Sequence, residues 1–435
     1  MQDSRTISSI VLGCIFTLVP CIWCCVRPDF PSPKDSKLTV LKMRLHVAIW
    51  VVIAPELVAY WAFRQWWEAG KIAKEYENRR WTRKNALFLI MGGFMLHDND
   101  RPVQTLSIQH LRRFLRQGAI DFPSISAIDI HQSNKLHPLL YILVCVQTLW
   151  FVVQCIARLA TGLLVTQLEI FTLTIVLMNG LILIFMWHKP IDVRQPIRLN
   201  ALNDSYRIPE DRPPVLMSIT DDYKREGILT KDLKRIFMEE AHIERRLSPI
   251  LYRFLGWAFR GVFFSPIDTV FRDFGRLAIN MQSSVVKDGA LNVPLFYSPD
   301  STDFLQFTFP AAVFLGIVIN AVLCLFWSWG YFPSETTRLV WKIGALTSAG
   351  FGALSLLFII LITITQLWNQ IAFNTVIDLI GDFFIYLGII LFVICYMPFV
   401  IARLLLIVES FICLKSLPQS GLTVVPWTRY IPHFS

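Results

Sequence analysis

The sequence predicts an all-α protein: a multi-pass transmembrane helical bundle of about six or seven spans with interfacial amphipathic helices. Three observations carry that expectation. Hydrophobic residues make up 54% of the chain and charged residues only 17%, where a soluble domain carries about a quarter charged residues. Several apolar runs are about 20 residues long, the length a helix needs to cross a hydrocarbon core of roughly 30 Å. Two of these runs, His137–Ala160 and Leu168–Trp187, are separated only by Thr161–Gln167. That connector is too short for anything but an antiparallel helical pair.

Taken in order, the first run is Ile7–Val26. Arg5 is balanced by Asp3 and Pro20 interrupts the run, so it reads as a retained helix and not as a signal peptide. Arg27-Pro28 closes it and a Pro-rich loop follows. His46–Trp67 is the second run, with Pro55 and Glu56 near its middle. Basic loops on both sides leave open whether it spans or dips back. Ala86–Leu96 is apolar but too short to cross, and Gly92-Gly93 suggests a bend against the membrane surface. Ser107–Gln117 sets Ile108, Leu111, Phe114 and Leu115 against Arg112, Arg113 and Arg116 at helical spacing, the pattern of an interfacial amphipathic helix. The central hairpin, residues 137–187, comes next. Its exit, Trp187-His188-Lys189-Pro190, places an indole at headgroup level, a lysine in water and a proline that stops the helix.

Beyond it lies a polar cytosolic or interfacial helical region, residues 201–304, with a soluble helix expected over Thr230–Leu247. The C-terminal membrane bundle, residues 305–435, holds the runs Phe307–Trp329, Leu339–Gln366 and Ile377–Ile412 and a short tail. The N-terminal membrane region is residues 1–200.

Net charge is +9, and residues 27–136 hold 17 Lys/Arg against 10 Asp/Glu. A basic juxtamembrane region faces the cytoplasm and anionic lipid. The cations are scattered and no nucleic-acid module is present, so nucleic acid is not an expected partner. Nine cysteines fall mostly inside apolar runs without metal spacing. They read as small buried hydrophobes, with Cys24 and Cys25 as acylation candidates at the membrane boundary.

Ionisable groups inside a membrane are expensive and each needs a reason. The intramembrane polar residues are Glu56, Gln147, Gln154, Arg158, Glu169, Arg403 and Glu409. The connector brings Arg158 and Glu169 to one level, where they are expected to pair as a structural ion pair. Gln147, Gln154 and Arg158 form a stripe that glues helices. Arg403 and Glu409 are six apart, so each looks to another helix for a partner. Asn374, Asp378 and Asp382 share one helical face, and two carboxylates one turn apart suit Mg²⁺ on a diphosphate. The spacing resembles the first half of the Asp-rich signature of membrane prenyltransferases, which need a second acidic cluster that Asp268, Asp273, Asp221 and Asp222 match poorly. The commoner reading is a helix start with acidic residues at its positive end. No cofactor is named by any motif.

Ala54-Pro55-Glu56-Leu57, Met91-Gly92-Gly93-Phe94, Gln147-Thr148-Leu149-Trp150-Phe151, Trp187-His188-Lys189-Pro190 and, in the tail, Ala402-Arg403-Leu404, Val408-Glu409 and Ile431-Pro432-His433 occur in order. In these motifs the chain resembles a large family of fungal multi-pass integral membrane proteins without established function. The resemblance covers most of residues 10–200 and the last stretch of the chain. It implies a shared membrane fold and a fungal source, and it brings no catalytic residue.

Three function classes follow. The favoured one acts on or assists the handling of a lipophilic small molecule in the bilayer of the endoplasmic reticulum or plasma membrane, for example in secondary-metabolite biosynthesis. The second is a transporter or ion channel, supported by buried charges and the interrupted second run. The third is a membrane scaffold whose polar region, residues 201–304, binds partners.

Overall fold

The computed structural model describes residues 4–33, 35–98, 101–123, 138–190, 196–200, 286–299, 309–371, 395 and 398–425. In chain order the elements are α1 (Ile7–Cys25), α2 (Lys37–Ile53), α3 (Pro55–Glu75), α4 (Arg83–Ile90), β1 (Phe94–Asp98), β2 (Arg101–Thr105), α5 (Ile108–Arg116), α6 (Pro138–Ala160), α7 (Gln167–Phe185), β3 (Ile197–Asn200), α8 (Phe309–Trp329), α9 (Glu335–Ile371) and α10 (residues 398–412). They fall into two units: residues 1–91, 124–195 and 303–435, and residues 92–123 and 196–302.

The first unit is helical. α1, residues 141–160 of α6, and α7 are long and apolar enough to cross a membrane. The bent pair α2–α3 makes a fourth if it counts as one span. Each start is written locally. The hydroxyl of Thr6 accepts from the Ser9 amide at the head of α1. At α7, Thr166 and Glu169 form a reciprocal capping box, which satisfies two of the amides that a helix start leaves orphaned. The second apolar run is not one helix. Pro55 has no N–H for the ladder and disfavours helical backbone at the residue before it. Ala54 accordingly sits at φ −140°, ψ 66°, and α3 leaves α2 at 116°.

α9 packs closely on α8 and α10 through small residues. A Cβ on Gly352 would stand 2.9 Å from Ile317 of α8, and one on Gly344 would stand 3.0 Å from Leu406 of α10. Trp341, fully buried, donates its indole N–H to the Leu323 carbonyl at 3.2 Å. The shared core joins Phe171, Ile175, Leu323, Trp341 and Leu406 to Ile10 and Phe151.

The second unit corrects the all-α expectation. It contains a three-stranded sheet in the order β2-β1-β3, with β1 antiparallel to β2 and parallel to β3. Phe94, Met95 and Leu96 of β1 are all buried, so the strand shows no period-two alternation and its short apolar run is ambiguous. Pro102 lies on β2, an edge strand, where a missing N–H is tolerated. Gly92 turns the chain at φ +83°, and a Cβ there would press on Thr105 at 3.1 Å and Val293 at 3.2 Å.

α5 forms where the spacing predicts, capped by Ser107 and His110. Its apolar face, however, is covered by protein: Ile108, Leu111 and Phe114 are buried. The interfacial reading of this helix is therefore replaced by a packed one. Asp288 faces it, 2.9 Å from His110 Nε2 and 3.1 Å from Arg113 Nη2. The hydrogen bond from His110, reinforced by Arg113 and opposed by partial burial, holds the Asp288 carboxyl down to about 2.

The helix expected over Thr230–Leu247 and the Asn374, Asp378 and Asp382 face lie outside the described residues.

Candidate functional site: a buried arginine with open donors

Among the described residues three buried polar centres tie the first unit together, and they differ in how completely their groups are satisfied. The first is the C-terminal end of α7. Arg27 donates to the carbonyls of Met186, of Lys189 at 2.8 Å and of Trp187 at 3.3 Å, capping orphan carbonyls with a cation. Lys189 does not reach water as its sequence context suggests. It is fully buried, 2.8 Å from Asp29 Oδ1 and 3.0 Å from Gln65 Oε1, with its ammonium 4.8 Å from the Trp61 ring centre. The reason is the partner set: a carboxylate, an amide oxygen and an aromatic face replace its water. Burial pushes the Asp29 carboxyl up and the Lys189 ammonium down, and the attraction between the two opposes both shifts. Trp187, by contrast, is exposed as expected.

The second centre is the connector of the hairpin. Arg158 and Glu169 come to the same end but do not pair. Glu169 chelates Arg5, at 2.5 and 3.1 Å, while its Oε2 also accepts from the Thr166 amide at 2.8 Å. Arg158 instead donates to backbone carbonyls: Leu164 from Nε and Nη2, Thr423 from Nη1 at 2.7 Å, and Ser420 from Nη2 at 3.1 Å. The connector and the one-turn helix Gln419–Leu422 with its cap Thr423 present carbonyls at a chain reversal and a helix end, and a guanidinium has five donors to give them. Ser4 bridges to Thr423 beside this cluster.

The third centre is Glu56, Asn320 and Arg403. The Pro55 break sets Glu56 in the first turn of α3. Asn320 lies on α8 and Arg403 on α10. Arg403 Nη2 donates to both Glu56 oxygens, at 2.9 and 3.1 Å, and to Asn320 Oδ1 at 2.7 Å. Asn320 Nδ2 donates to the Gly316 carbonyl at 2.8 Å, which turns its oxygen toward the arginine. Gly316 also lets α8 approach: a Cβ there would touch Glu56 Cβ at 3.4 Å. Arg403 is 1% exposed, yet among the described residues its Nε and Nη1 have no acceptor. The Phe399 ring lies 5.5 Å from its guanidinium carbon, and Phe351 stacks on Phe399 at 4.7 Å.

Of the remaining polar residues, Gln147 donates to Thr17 Oγ1 at 3.4 Å and Gln154 is half-buried. Glu409 is buried, its Oε2 has no partner among the described residues, and it does not meet Arg403. Cys24 and Cys25 are buried, so neither presents a thiol for acylation. Among the described residues no group of three His, Cys, Asp or Glu side chains is placed to hold a metal ion.

Asn320, Asp29, Gln65 and Arg5 are partners that sequence reasoning missed. Asn320 had a readable signal, a lone amide in the apolar run Phe307–Trp329. Thr166-x-x-Glu169 had another, the spacing of a capping box.

A family model described as a family of unknown function (DUF8562) matches residues 2–208. No curated protein matches the chain, and no solved structure matches it. The matched stretch contains Glu56, Arg158 and Glu169, whereas Asn320 and Arg403 lie beyond it.

Proposed function

We propose that the chain is an integral membrane protein of six or seven spans, in the endoplasmic reticulum or plasma membrane, that binds a lipophilic small molecule at the Glu56–Asn320–Arg403 centre. One observation carries the site: a guanidinium shut away from water whose Nε and Nη1 have no acceptor among the described residues. A buried donor without an acceptor costs about 1–3 kcal/mol, so the arrangement suits a molecule that completes it. The bilayer reading is supported by apolar stripes that face outward at helical spacing, such as Leu12, Ile15, Phe16 and Val19 on α1 and Ile142, Val146, Leu149 and Val153 on α6. Charges such as Arg158, Lys189 and Arg403 are inside, which reverses the arrangement of a water-soluble protein.

The test has two parts. Membranes washed at alkaline pH are expected to retain the protein; release into the supernatant overturns the bilayer reading. Protein purified in detergent and extracted with organic solvent is expected to yield a compound by mass spectrometry that the double variant Glu56→Gln/Arg403→Met does not. Identical extracts from both proteins overturn the site.

The break at Pro55 favours a second reading, transport, because interrupted helices form binding sites in carriers. Solute or ion flux across reconstituted vesicles that disappears with Glu56→Gln would support it, and absence of flux under every gradient imposed would dismiss it.

A further inference from the structure

We infer that the molecule taken at Arg403 is uncharged and presents a carbonyl or ether oxygen at the head of an apolar body. This rests on the reading above that the centre binds a lipophilic molecule, and it fixes the chemical class.

The first argument is charge. Among the described residues of the centre, Arg403 and Glu56 neutralise each other across 2.9 Å, and Asn320 is neutral. The aromatic neighbours Phe399 and Phe351 add no charge. An incoming anion would leave the dry site negative, and an incoming cation would meet the guanidinium; both are expensive away from water. A neutral oxygen brings no such cost.

The second argument is geometry. A carboxylate or phosphate grips a guanidinium through two parallel N–H bonds on one edge. Both edges that support such a fork include Nη2, and Nη2 already serves Glu56 and Asn320. What remains is Nε, with one N–H, and Nη1, with two, on opposite edges. With Nη2 occupied neither edge closes a fork, so each nitrogen suits single lone pairs. A guanidinium accepts nothing, so a ligand that offers only donors has no partner there. The stacked Phe351–Phe399 pair supplies the apolar wall.

The test uses the full chain in lipid-free detergent micelles and three probes of equal chain length: methyl decyl ketone, dodecanoate kept ionised, and dodecane. The readout is the thermal unfolding midpoint against probe concentration. The ketone is expected to raise the midpoint of the wild type and to leave Glu56→Gln/Arg403→Met unmoved. That double variant removes both charges together, so it avoids the unpaired buried carboxylate that Arg403→Met alone leaves. Dodecanoate is expected to bind the wild type roughly tenfold more weakly than the ketone. Glu56→Gln exposes an uncompensated cation and should reverse that order. Dodecanoate matching the ketone on the wild type overturns the inference, as does a ketone response that survives in the double variant. No response to any probe also overturns it and assigns the open donors to water. If the probes fail while solvent extraction still recovers an Arg403-dependent compound, the class is wrong and the binding site stands; if both fail, the site falls. Diester phosphatidylcholine that displaces the ketone, where its diether analogue does not, assigns the oxygen to a bilayer acyl ester; no displacement by either assigns it to a free molecule. Both results keep the neutral oxygen.

Discussion

Arg158 and Arg403 are two buried guanidinium groups in one helical unit, and they spend their donors in opposite ways. Arg158 gives all three nitrogens to backbone carbonyls and needs nothing more. Arg403 concentrates its bonds on Nη2 and leaves Nε and Nη1 without an acceptor among the described residues. A cation whose donors are all used ties chain segments together. Arg403 keeps two nitrogens for the proposed ligand. Burial is nearly the same in the two, 3% and 1% exposed, so the difference lies in satisfied donors and not in depth.

The sharpest way to break this contrast is Arg403→Met. It leaves Glu56 unpaired, and the loss of one partner from a buried pair costs about 3–5 kcal/mol. Glu56→Gln/Arg403→Met should recover all but about 1–2 kcal/mol, because no lone charge remains. Unfolding of the full chain in detergent measures both; a double variant as unstable as the single one would mean that Arg403 acts as a clamp after all. Arg158→Met should cost about 2–3 kcal/mol by stranding buried carbonyls, and it should leave the ketone response untouched. Loss of that response would merge the two regions into one. Glu169→Gln weakens the grip on Arg5 and half of the Thr166 cap, for about 1–2 kcal/mol by the same measurement.

The smallest effect lies in the second unit. Asp288 is held at about 2 in the folded state against 3.8 ordinarily. A depressed carboxyl contributes stability that is present above the ordinary value and is lost as pH falls through about 2. The side chain is 36% exposed, so solvent screening holds the contribution under about 1 kcal/mol. Asp288→Asn should therefore differ from the wild type at neutral pH and converge with it in strong acid; a gap that widens on acidification would contradict the assignment.

Helix periodicity made α1, α6 and α7 legible almost to their ends, because long apolar runs admit few other conformations. Pro55 made the break legible for a local reason, its missing N–H. Local pattern is silent about partners distant in sequence. Nothing near Lys189 announces Asp29, which is 160 residues away, and nothing near Arg403 announces Glu56, which is 347 residues away. Arg158 and Glu169 flank one short connector, but adjacency does not make them a pair when Arg5 and the carbonyls of residues 420–423 compete for them. The sheet escaped notice because β1 is buried on both faces and so lacks the alternation that marks a strand.

The carbonyl contacts of Arg158 also impose a timetable on synthesis. Thr423 follows Arg158 by 265 residues, which at about 5–20 residues per second is a delay of roughly 13–50 s on the ribosome. Throughout that interval Arg158 holds only the Leu164 carbonyl of its own connector, and Nη1 waits for Thr423. A nascent chain cut short before residue 420 keeps the local bond and never gains the one that fastens the hairpin to the end of the helical unit.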